Sequence, residues 1–300
     1  MPKKIVPALT GRTVRCILFD LGETLWTLRD EATLQRLDTA AYERVLAALH
    51  SHTPSLSPTP TLALCRQIEE ALAGYIRNAR RQRAYDEPDF TLATSEALHQ
   101  VGLSHVTAEL SAAVFEALRV SSSESRVPFP DTFSTLETLR ARGFLLGIVS
   151  NRNWGGELFQ QDLQTLGFFE YFDPRCIAIS ADLGIRKPNP DIFLHTLNAL
   201  DVAPHEAVMV GDSVRADVAG AKKLEMFTVW KPSRRLRAAL AAETLDDALQ
   251  TDLTEEERLL AYAQQSATIK YGASKDDMQP HLVIAHLHEL LDIFAELGVQ

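Results

Sequence analysis

Cysteine is scarce in this sequence, and its spacing gives no sign of paired thiols. Cys16, Cys65 and Cys176 are odd in number and far apart, and no CxxC pair occurs. Disulfide scaffolds and cysteine-rich metal sites depend on such pairs. We therefore expect reduced thiols and a cytoplasmic location.

Long apolar runs and an excess of positive charge are also missing. Runs such as 144–149 are far shorter than the ~20 apolar residues that span a bilayer, and no apolar segment follows Lys3 and Lys4 to form a secretory signal. The 40 acidic residues outnumber the 30 basic ones, so the net charge is −10. This balance is a poor basis for binding nucleic acid or an anionic membrane, and we expect neither partner.

What the sequence does have is an ordinary globular composition, with 46% apolar residues among 300, enough for one large domain or two moderate ones. A β-prone run at 14–19 ends at Asp20, and residues 28–118 then carry apolar side chains at helical spacing. From Val127 onward, helical segments alternate with short apolar runs near 144–149, Ile177, 207–210 and 227–230. This order predicts a parallel sheet with helices on both faces, interrupted after its first strand by a helical insert.

Polar residues follow the predicted strands at the points where the strands end. They form four segments: Asp20 to Thr24, Ser150-Asn151, Lys187 ahead of Pro188, and Gly211-Asp212-Ser213 with Asp217. The carboxyl ends of parallel strands meet at one edge of a sheet, where α/β proteins bind their ligands. Carboxylates gathered at such an edge need a cation, and hard oxygen ligands without His or Cys suit Mg²⁺.

These residue types are suited to phosphoryl transfer through a carboxylate nucleophile. Asp20 could attack phosphorus and form an aspartyl-phosphate, while Mg²⁺ would be held by Asp20, the Gly22 carbonyl and Asp212. Lys187 would supply further positive charge, and the Ser150 hydroxyl would position a phosphoryl oxygen.

Two further residues belong to the predicted site. Asn151, next to Ser150, would contact the substrate. Asp217 would support the metal from behind its direct ligands, although a carboxylate in the first turn of a helix is favoured for local reasons as well. Either Asp217 or Asp212 would anchor Lys187.

The order of these segments resembles the haloacid dehalogenase (HAD) superfamily, most of whose members are phosphatases. The residues that carry the resemblance are the strand and DxxxT segment at 17–24, Ser150-Asn151, Lys187, and the GDSxxxDxxGA segment at 211–221. The resemblance covers about 13–230 and implies a magnesium-dependent phosphatase that acts on a small phosphorylated metabolite through Asp20.

The resemblance also implies a domain organisation. A Rossmann-like α/β core would comprise 1–27 and 127–300, with an inserted helical cap at about 28–126. Residues 281–297 would be the last strand and helix of the core, which leaves about 234–279 as an extra helical insertion. That insertion could cover the site or form the surface of a homodimer.

The sequence departs from the family pattern DxDxT at one position that bears on chemistry. Gly22 stands where relatives have a second Asp, which protonates the leaving group and later activates water. A metal contact through the backbone carbonyl survives this change, but general acid–base assistance, worth ~10²–10⁴-fold, is lost. Glu23 or water could take its place, and the sequence leaves both open.

Gly22 keeps two other interpretations open. The chain could be a HAD-fold binding or regulatory protein with poor turnover, or its Asp20 could attack carbon or a phosphonate. Asp212 and Asp217 argue against a metal-free dehalogenase, and the absence of lysine from 28–126 argues against a phosphonatase that needs an amine in the cap.

Overall fold

The computed structural model describes Leu9 and residues 11–53, 61–243 and 253–295. The strands, in chain order, are β1 (Cys16–Phe19), β2 (Trp26–Leu28), β3 (Arg126–Pro128), β4 (Leu145–Ser150), β5 (Ile177–Ile179), β6 (Ala207–Gly211), β7 (Phe227–Trp230) and β8 (Leu282–Val283). The helices are α1 (Glu31–His52), α2 (Leu62–Gln82), α3 (Phe90–Gln100), α4 (Ala108–Ala117), α5 (Ser122–Ser125), α6 (Thr132–Ala141), α7 (Gly156–Thr165), α8 (Ser180–Leu183), α9 (Pro190–Leu200), α10 (Ala219–Lys222), α11 (Arg234–Glu243), α12 (Glu255–Tyr271) and α13 (Glu289–Ile293).

Six strands form one sheet in the order β5-β4-β1-β6-β7-β8, and every pairing in it is parallel. β1 lies between β4 and β6, where Phe19 is in register with Ile148 and Val210. The residues of β1 and β6 are all buried, as expected for parallel strands covered on both faces. The predicted α/β fold is confirmed, and the register brings the ends of β1, β4 and β6 side by side.

Two compact units can be distinguished in the chain. The α/β unit comprises the described residues within Met1–Thr27, Pro128–Arg152 and Gln164–Gln300. One of its cores packs Ile192 and Phe193 of α9 against Leu18 and Val149 of the sheet. α9 begins at Pro190, where the side chain of the preceding Asn189 caps the helix and proline suits the first turn.

The second unit is helical and comprises Leu28–Val127 and Asn153–Leu163. Its helices α1 to α4 each begin after a capping side chain that accepts a backbone hydrogen bond; these caps are Asp30, Thr61, Asp89 and Thr107. The segment Asn153–Leu163 was not part of the predicted insert of 28–126. It belongs to the helical unit, where its Trp154 stacks on Phe115 of α4 with ring centroids 4.8 Å apart. The role of this unit as a cap stays a prediction.

The predicted insertion at 234–279 contains α11 and α12, whose side chains share an apolar cluster with Trp230 of β7. The strand predicted at 281–284 is the short β8, and the helix predicted up to 297 is α13, part of that prediction lying outside the described residues. Among the described helices, none combines the length and the apolar character needed to cross a membrane.

Candidate active site

Asp20 stands directly after β1, at the centre of the sheet edge. It is buried, and its backbone N–H donates to the carbonyl of Val210, which continues the β1–β6 pairing by one residue. Its Oδ1 accepts hydrogen bonds from Ser150 Oγ at 3.1 Å and from Lys187 Nζ at 2.7 Å. In the described part of the chain no hydrogen bond reaches Oδ2, so half of this carboxylate faces no protein donor.

Lys187 brings a buried positive charge to the same point. Its side chain is 2% exposed, and its ammonium group donates to Asp20 Oδ1 at 2.7 Å, Asp217 Oδ1 at 2.6 Å and the Val149 carbonyl at 2.6 Å. Burial by itself lowers the pKa of Lys187, but the carboxylates of Asp20 and Asp217 outweigh burial and raise that pKa above its usual value. The lysine is therefore a fixed cation whose three N–H donors are all used.

Asn151 holds Lys187 in place through the backbone. Its Nδ2 donates to the Lys187 carbonyl at 3.0 Å, and its Oδ1 accepts from the Lys187 N–H at 2.8 Å. Both ends of the amide are thus engaged by one residue, which gives Asn151 a positioning role. The substrate contact predicted for Asn151 stays a prediction.

Asp217 is buried behind the edge, in a π-helical turn at Val214–Val218. One of its oxygens accepts from Lys187, and the other accepts from the Ser213 N–H at 2.9 Å. Burial raises the pKa of Asp217 to about 6, against the opposing effect of the Lys187 charge. A Cβ at Gly211 would lie 2.3 Å from Asp217 Cγ, so this close approach requires glycine at the end of β6.

Asp212 differs from Asp217 because its carboxylate accepts no hydrogen bond from the described residues. Its backbone carbonyl accepts from Trp230 Nε1 at 2.7 Å, which fixes the loop after β6. Burial, and then the negative charges of Asp20 and Asp217, raise the pKa of Asp212 well above its ordinary value. A carboxylate in such surroundings is stabilised by a cation.

The donor set fits a hard divalent metal. The Asp20 carboxylate and the Asp212 carboxylate retain free oxygen lone pairs, and Asp217 is committed to Lys187 and Ser213. Accordingly, no group of three His, Cys, Asp or Glu side chains is arranged around a common metal position within the described ranges. Mg²⁺ is typically bound by one or two protein carboxylates, with water and substrate phosphate as the other ligands.

Gly22 lies next to the free oxygen of Asp20. A Cβ built on Gly22 would meet only Asp20 Oδ2, at 3.8 Å, which is an ordinary contact. Its φ lies outside the left-handed region, so the backbone there also suits other residues. A carboxylate at position 22 would therefore lie near the carboxylate of Asp20, but the residue there is glycine.

The carboxylate of Glu23 is engaged elsewhere. It accepts from Thr27 Oγ1 at 2.7 Å and from the Arg234 N–H at 3.2 Å. These contacts count against Glu23 as the substitute acid. The backbone of Glu23 has a further partner that was not predicted from the sequence. Its carbonyl accepts from Lys231 Nζ at 2.9 Å. Lys231 directly follows β7, so the rule that polar residues follow strand ends could have found it.

Comparison with known proteins agrees with this arrangement. A family model described as haloacid dehalogenase-like hydrolase matches residues 14–224. A glyceraldehyde 3-phosphate phosphatase of Methanopyrus kandleri is 29% identical over 228 residues, which are 72% of this chain and 83% of the relative. A phosphoserine phosphatase of Thermus thermophilus is 35% identical over 137 residues, which are 45% of this chain and 51% of that relative.

Solved structures show the same fold. A HAD phosphatase from Thermococcus onnurineus aligns with a TM-score of 0.53 and 23% identity, over 94% of this chain and 98% of that one. A 2-haloacid dehalogenase from Pseudomonas syringae aligns with a TM-score of 0.52 and 24% identity, over 94% of this chain and 99% of that one. The two neighbours differ in activity, so the shared fold does not separate phosphatase from dehalogenase.

Proposed function

This chain belongs to the haloacid dehalogenase-like hydrolase family, and we propose that it is a phosphatase that cleaves the monoester of a small phosphorylated metabolite. The observation that carries the proposal is the buried group in which Lys187 bridges Asp20 and Asp217, with Asp212 beside them. The relatives named as glyceraldehyde 3-phosphate phosphatase and phosphoserine phosphatase support a small organic phosphate as substrate.

Asp20 would be the nucleophile. Its carboxylate forms a bond to phosphorus as the ester O–P bond breaks, which leaves an aspartyl-phosphate and an alkoxide that takes up a proton. Water then attacks the same phosphorus, inorganic phosphate departs, and the carboxylate is restored. The hydrogen bonds from Lys187 and Ser150 at Oδ1 hold the carboxylate in one orientation for both steps.

The rest of the site would neutralise and position the phosphoryl group. Lys187 offers a fixed positive charge in surroundings with little water, where electrostatic stabilisation is strong. Ser150 is close enough to Asp20 for its hydroxyl to turn toward a phosphoryl oxygen. Asp20, Asp212 and the Gly22 carbonyl would hold Mg²⁺, which supplies further neutralisation of phosphoryl charge when bound.

Protonation of the leaving group is the step to which residues 22 and 23 contribute least. Gly22 has no side chain to donate a proton, and the carboxylate of Glu23 is bound to Thr27 and to the backbone of Arg234. The leaving alkoxide would therefore take its proton from water. Esters with a good leaving group should be cleaved much faster than alkyl phosphates.

Hydrolysis of p-nitrophenyl phosphate tests the proposal, with Mg²⁺ in one series and EDTA in the other. We expect turnover that needs the metal and is abolished in Asp20→Asn, which keeps the shape of the side chain but removes the nucleophilic charge. A folded protein that binds Mg²⁺ and gives no turnover on this undemanding substrate would refute the phosphatase proposal.

The variant Gly22→Asp sharpens the test. The structure has room for the new Cβ, 3.8 Å from Asp20 Oδ2. We expect kcat on an alkyl phosphate to rise by ~10²-fold or more, with a much smaller gain on p-nitrophenyl phosphate, since only the poor leaving group needs the acid. Equal gains on both substrates would contradict the assigned role of position 22.

A second candidate is a HAD-fold protein that binds phosphate esters and turns them over poorly. The engaged carboxylate of Glu23 favours it, because Glu23 is then not free to replace the acid that Gly22 lacks. It predicts Mg²⁺ and phosphate-ester binding with negligible hydrolysis of p-nitrophenyl phosphate, in contrast to the first proposal.

A further inference from the structure

Glu23 adopts an uncommon backbone conformation beside the nucleophile. Its φ is 55°, in the left-handed region that costs a residue with a Cβ roughly 1 kcal/mol or more. A residue persists there only when its surroundings hold it. The φ of Glu23 also sets the direction of the preceding peptide plane, which carries the Gly22 carbonyl.

Contacts from two directions hold Glu23. Thr27 Oγ1 donates to one carboxylate oxygen at 2.7 Å, and the Arg234 N–H donates to the other at 3.2 Å. Arg234 is the first residue of α11, whose early N–H groups have no partner within the helix and favour a carboxylate. The backbone carbonyl of Glu23 accepts from Lys231 Nζ at 2.9 Å.

Lys231 is an unusual residue for this position because it is 5% exposed. Its ammonium group lies 3.8 Å from the centroid of the Phe129 ring, and its one described hydrogen bond is to Glu23. Burial lowers the pKa of Lys231 to about 8. Methionine would fill the same space without the cost of desolvating a charge, so the contacts of the ammonium group with the Glu23 carbonyl and the Phe129 ring distinguish the lysine.

We propose that Lys231 and Glu23 are positioning residues that aim the Gly22 carbonyl at the metal site. Lys231 holds the Glu23 carbonyl, Thr27 and the start of α11 hold the Glu23 carboxylate, and the peptide between Gly22 and Glu23 is thereby fixed. The inference rests on the proposed function only in taking the Gly22 carbonyl as a metal ligand. It makes the loop after β7 part of the machinery that binds the metal.

The variant Lys231→Met tests the proposal by the sign of its effect. Loss of a positive charge near Asp212 and Glu23 would by itself tighten the binding of a cation. Loss of positioning would instead weaken it. We expect the Kd for Mg²⁺, measured by calorimetry on the full chain without substrate, to rise tenfold or more while the urea midpoint of unfolding is kept.

Two further variants separate positioning from other effects. Thr27→Val removes the hydroxyl that donates to Glu23 and accepts from the Arg234 guanidinium, without changing any charge, and it should raise the Kd for Mg²⁺ several-fold. Lys222→Met removes an ammonium group that donates to the backbone carbonyls of Asp276 and Gln279, and it should leave the Kd within twofold. Thr27→Val also serves if Lys231→Met fails to fold.

The outcomes distinguish this inference from the proposed function. Unchanged or tighter Mg²⁺ binding in folded Lys231→Met, an unchanged Kd in Thr27→Val, or a wild-type chain that binds no Mg²⁺ would each overturn the positioning role. A wild-type chain that binds Mg²⁺ but does not hydrolyse p-nitrophenyl phosphate would refute the phosphatase alone, since metal binding is measured without substrate.

Discussion

The buried ammonium of Lys187 should be essential to folding stability as well as to chemistry. Lys187→Met keeps most of the side-chain volume, so it leaves no large cavity. It removes hydrogen bonds to Asp20, Asp217 and the Val149 carbonyl at 2.6–2.7 Å. The carboxylates of Asp20 and Asp217 then remain buried without their common counter-charge.

The expected loss is large compared with the stability of a typical domain. Removing one partner of a buried ion pair costs about 3–5 kcal/mol, because the remaining charge is left uncompensated. Typical domains have unfolding free energies of about 5–15 kcal/mol. The loss expected for Lys187→Met is therefore at least about a fifth of the unfolding free energy of such a domain.

Urea unfolding at neutral pH in EDTA measures this loss without a divalent cation that could compensate. The matched control is Lys275→Met, where an exposed lysine is replaced and the expected change is within about 0.5 kcal/mol. The double variant Lys187→Met with Asp217→Asn removes one of the stranded carboxylates and should regain part of the stability. A loss below about 1 kcal/mol in Lys187→Met, or no recovery in the double variant, would refute the argument from uncompensated buried charge.

Two other predictions concern packing and pH. Gly211→Ala would place a methyl group 2.3 Å from Asp217 Cγ, so we expect activity to be lost and stability to fall by about 1–3 kcal/mol. The control Gly74→Ala in α2, where the nearest contact is 3.8 Å away, should be neutral or stabilising. A Gly211→Ala variant as stable and active as the wild type would contradict this prediction. Neutral His281 accepts at Nδ1 from the N–H and hydroxyl of Thr228, and burial, with two nearby cations, lowers its pKa. Below pH 6.5 His281 is therefore protonated more readily in the unfolded chain than in the folded one, and the free energy of unfolding decreases as the pH falls. His281→Asn should lose less stability than the wild type when urea unfolding is compared at pH 7.5 and pH 5, and equal losses would show that His281 does not carry this dependence.

Much of the fold was predictable because its signals are local. The apolar runs at β1, β4, β6 and β7 are short and bounded by polar residues, and the alternation with helices predicted a parallel sheet. The strand β8 was expected only through the family resemblance, and the grouping of Asn153–Leu163 with the helical unit depends on long-range packing, such as the stacking of Trp154 on Phe115. Such contacts leave no periodicity in the chain.

The same division applies to the site. Asp20, Lys187 and Asp217 are predicted from the sequence because each follows a strand or begins a helix at the carboxyl edge, and the structure brings them together around one ammonium group. The substrate contact of Asn151 stays a prediction, and the structure adds that both ends of its amide bond the backbone of Lys187, 36 positions along the chain. A side-chain type indicates which bonds it can make, but not which distant backbone it will meet.

The sequence by itself determined the α/β architecture, the family resemblance, the residues at the strand ends and the missing carboxylate at Gly22. The architecture and the strand-end residues follow from composition, periodicity and spacing, which act over a few residues, and the missing carboxylate at Gly22 is what the family resemblance implies. Only the tertiary structure decided that Lys231, 208 positions away, holds the carbonyl of Glu23, and that the carboxylate of Glu23 caps α11. Both depend on the parallel order that sets β7 beside β6 and β6 beside β1, because that order brings the loops after these strands to one edge.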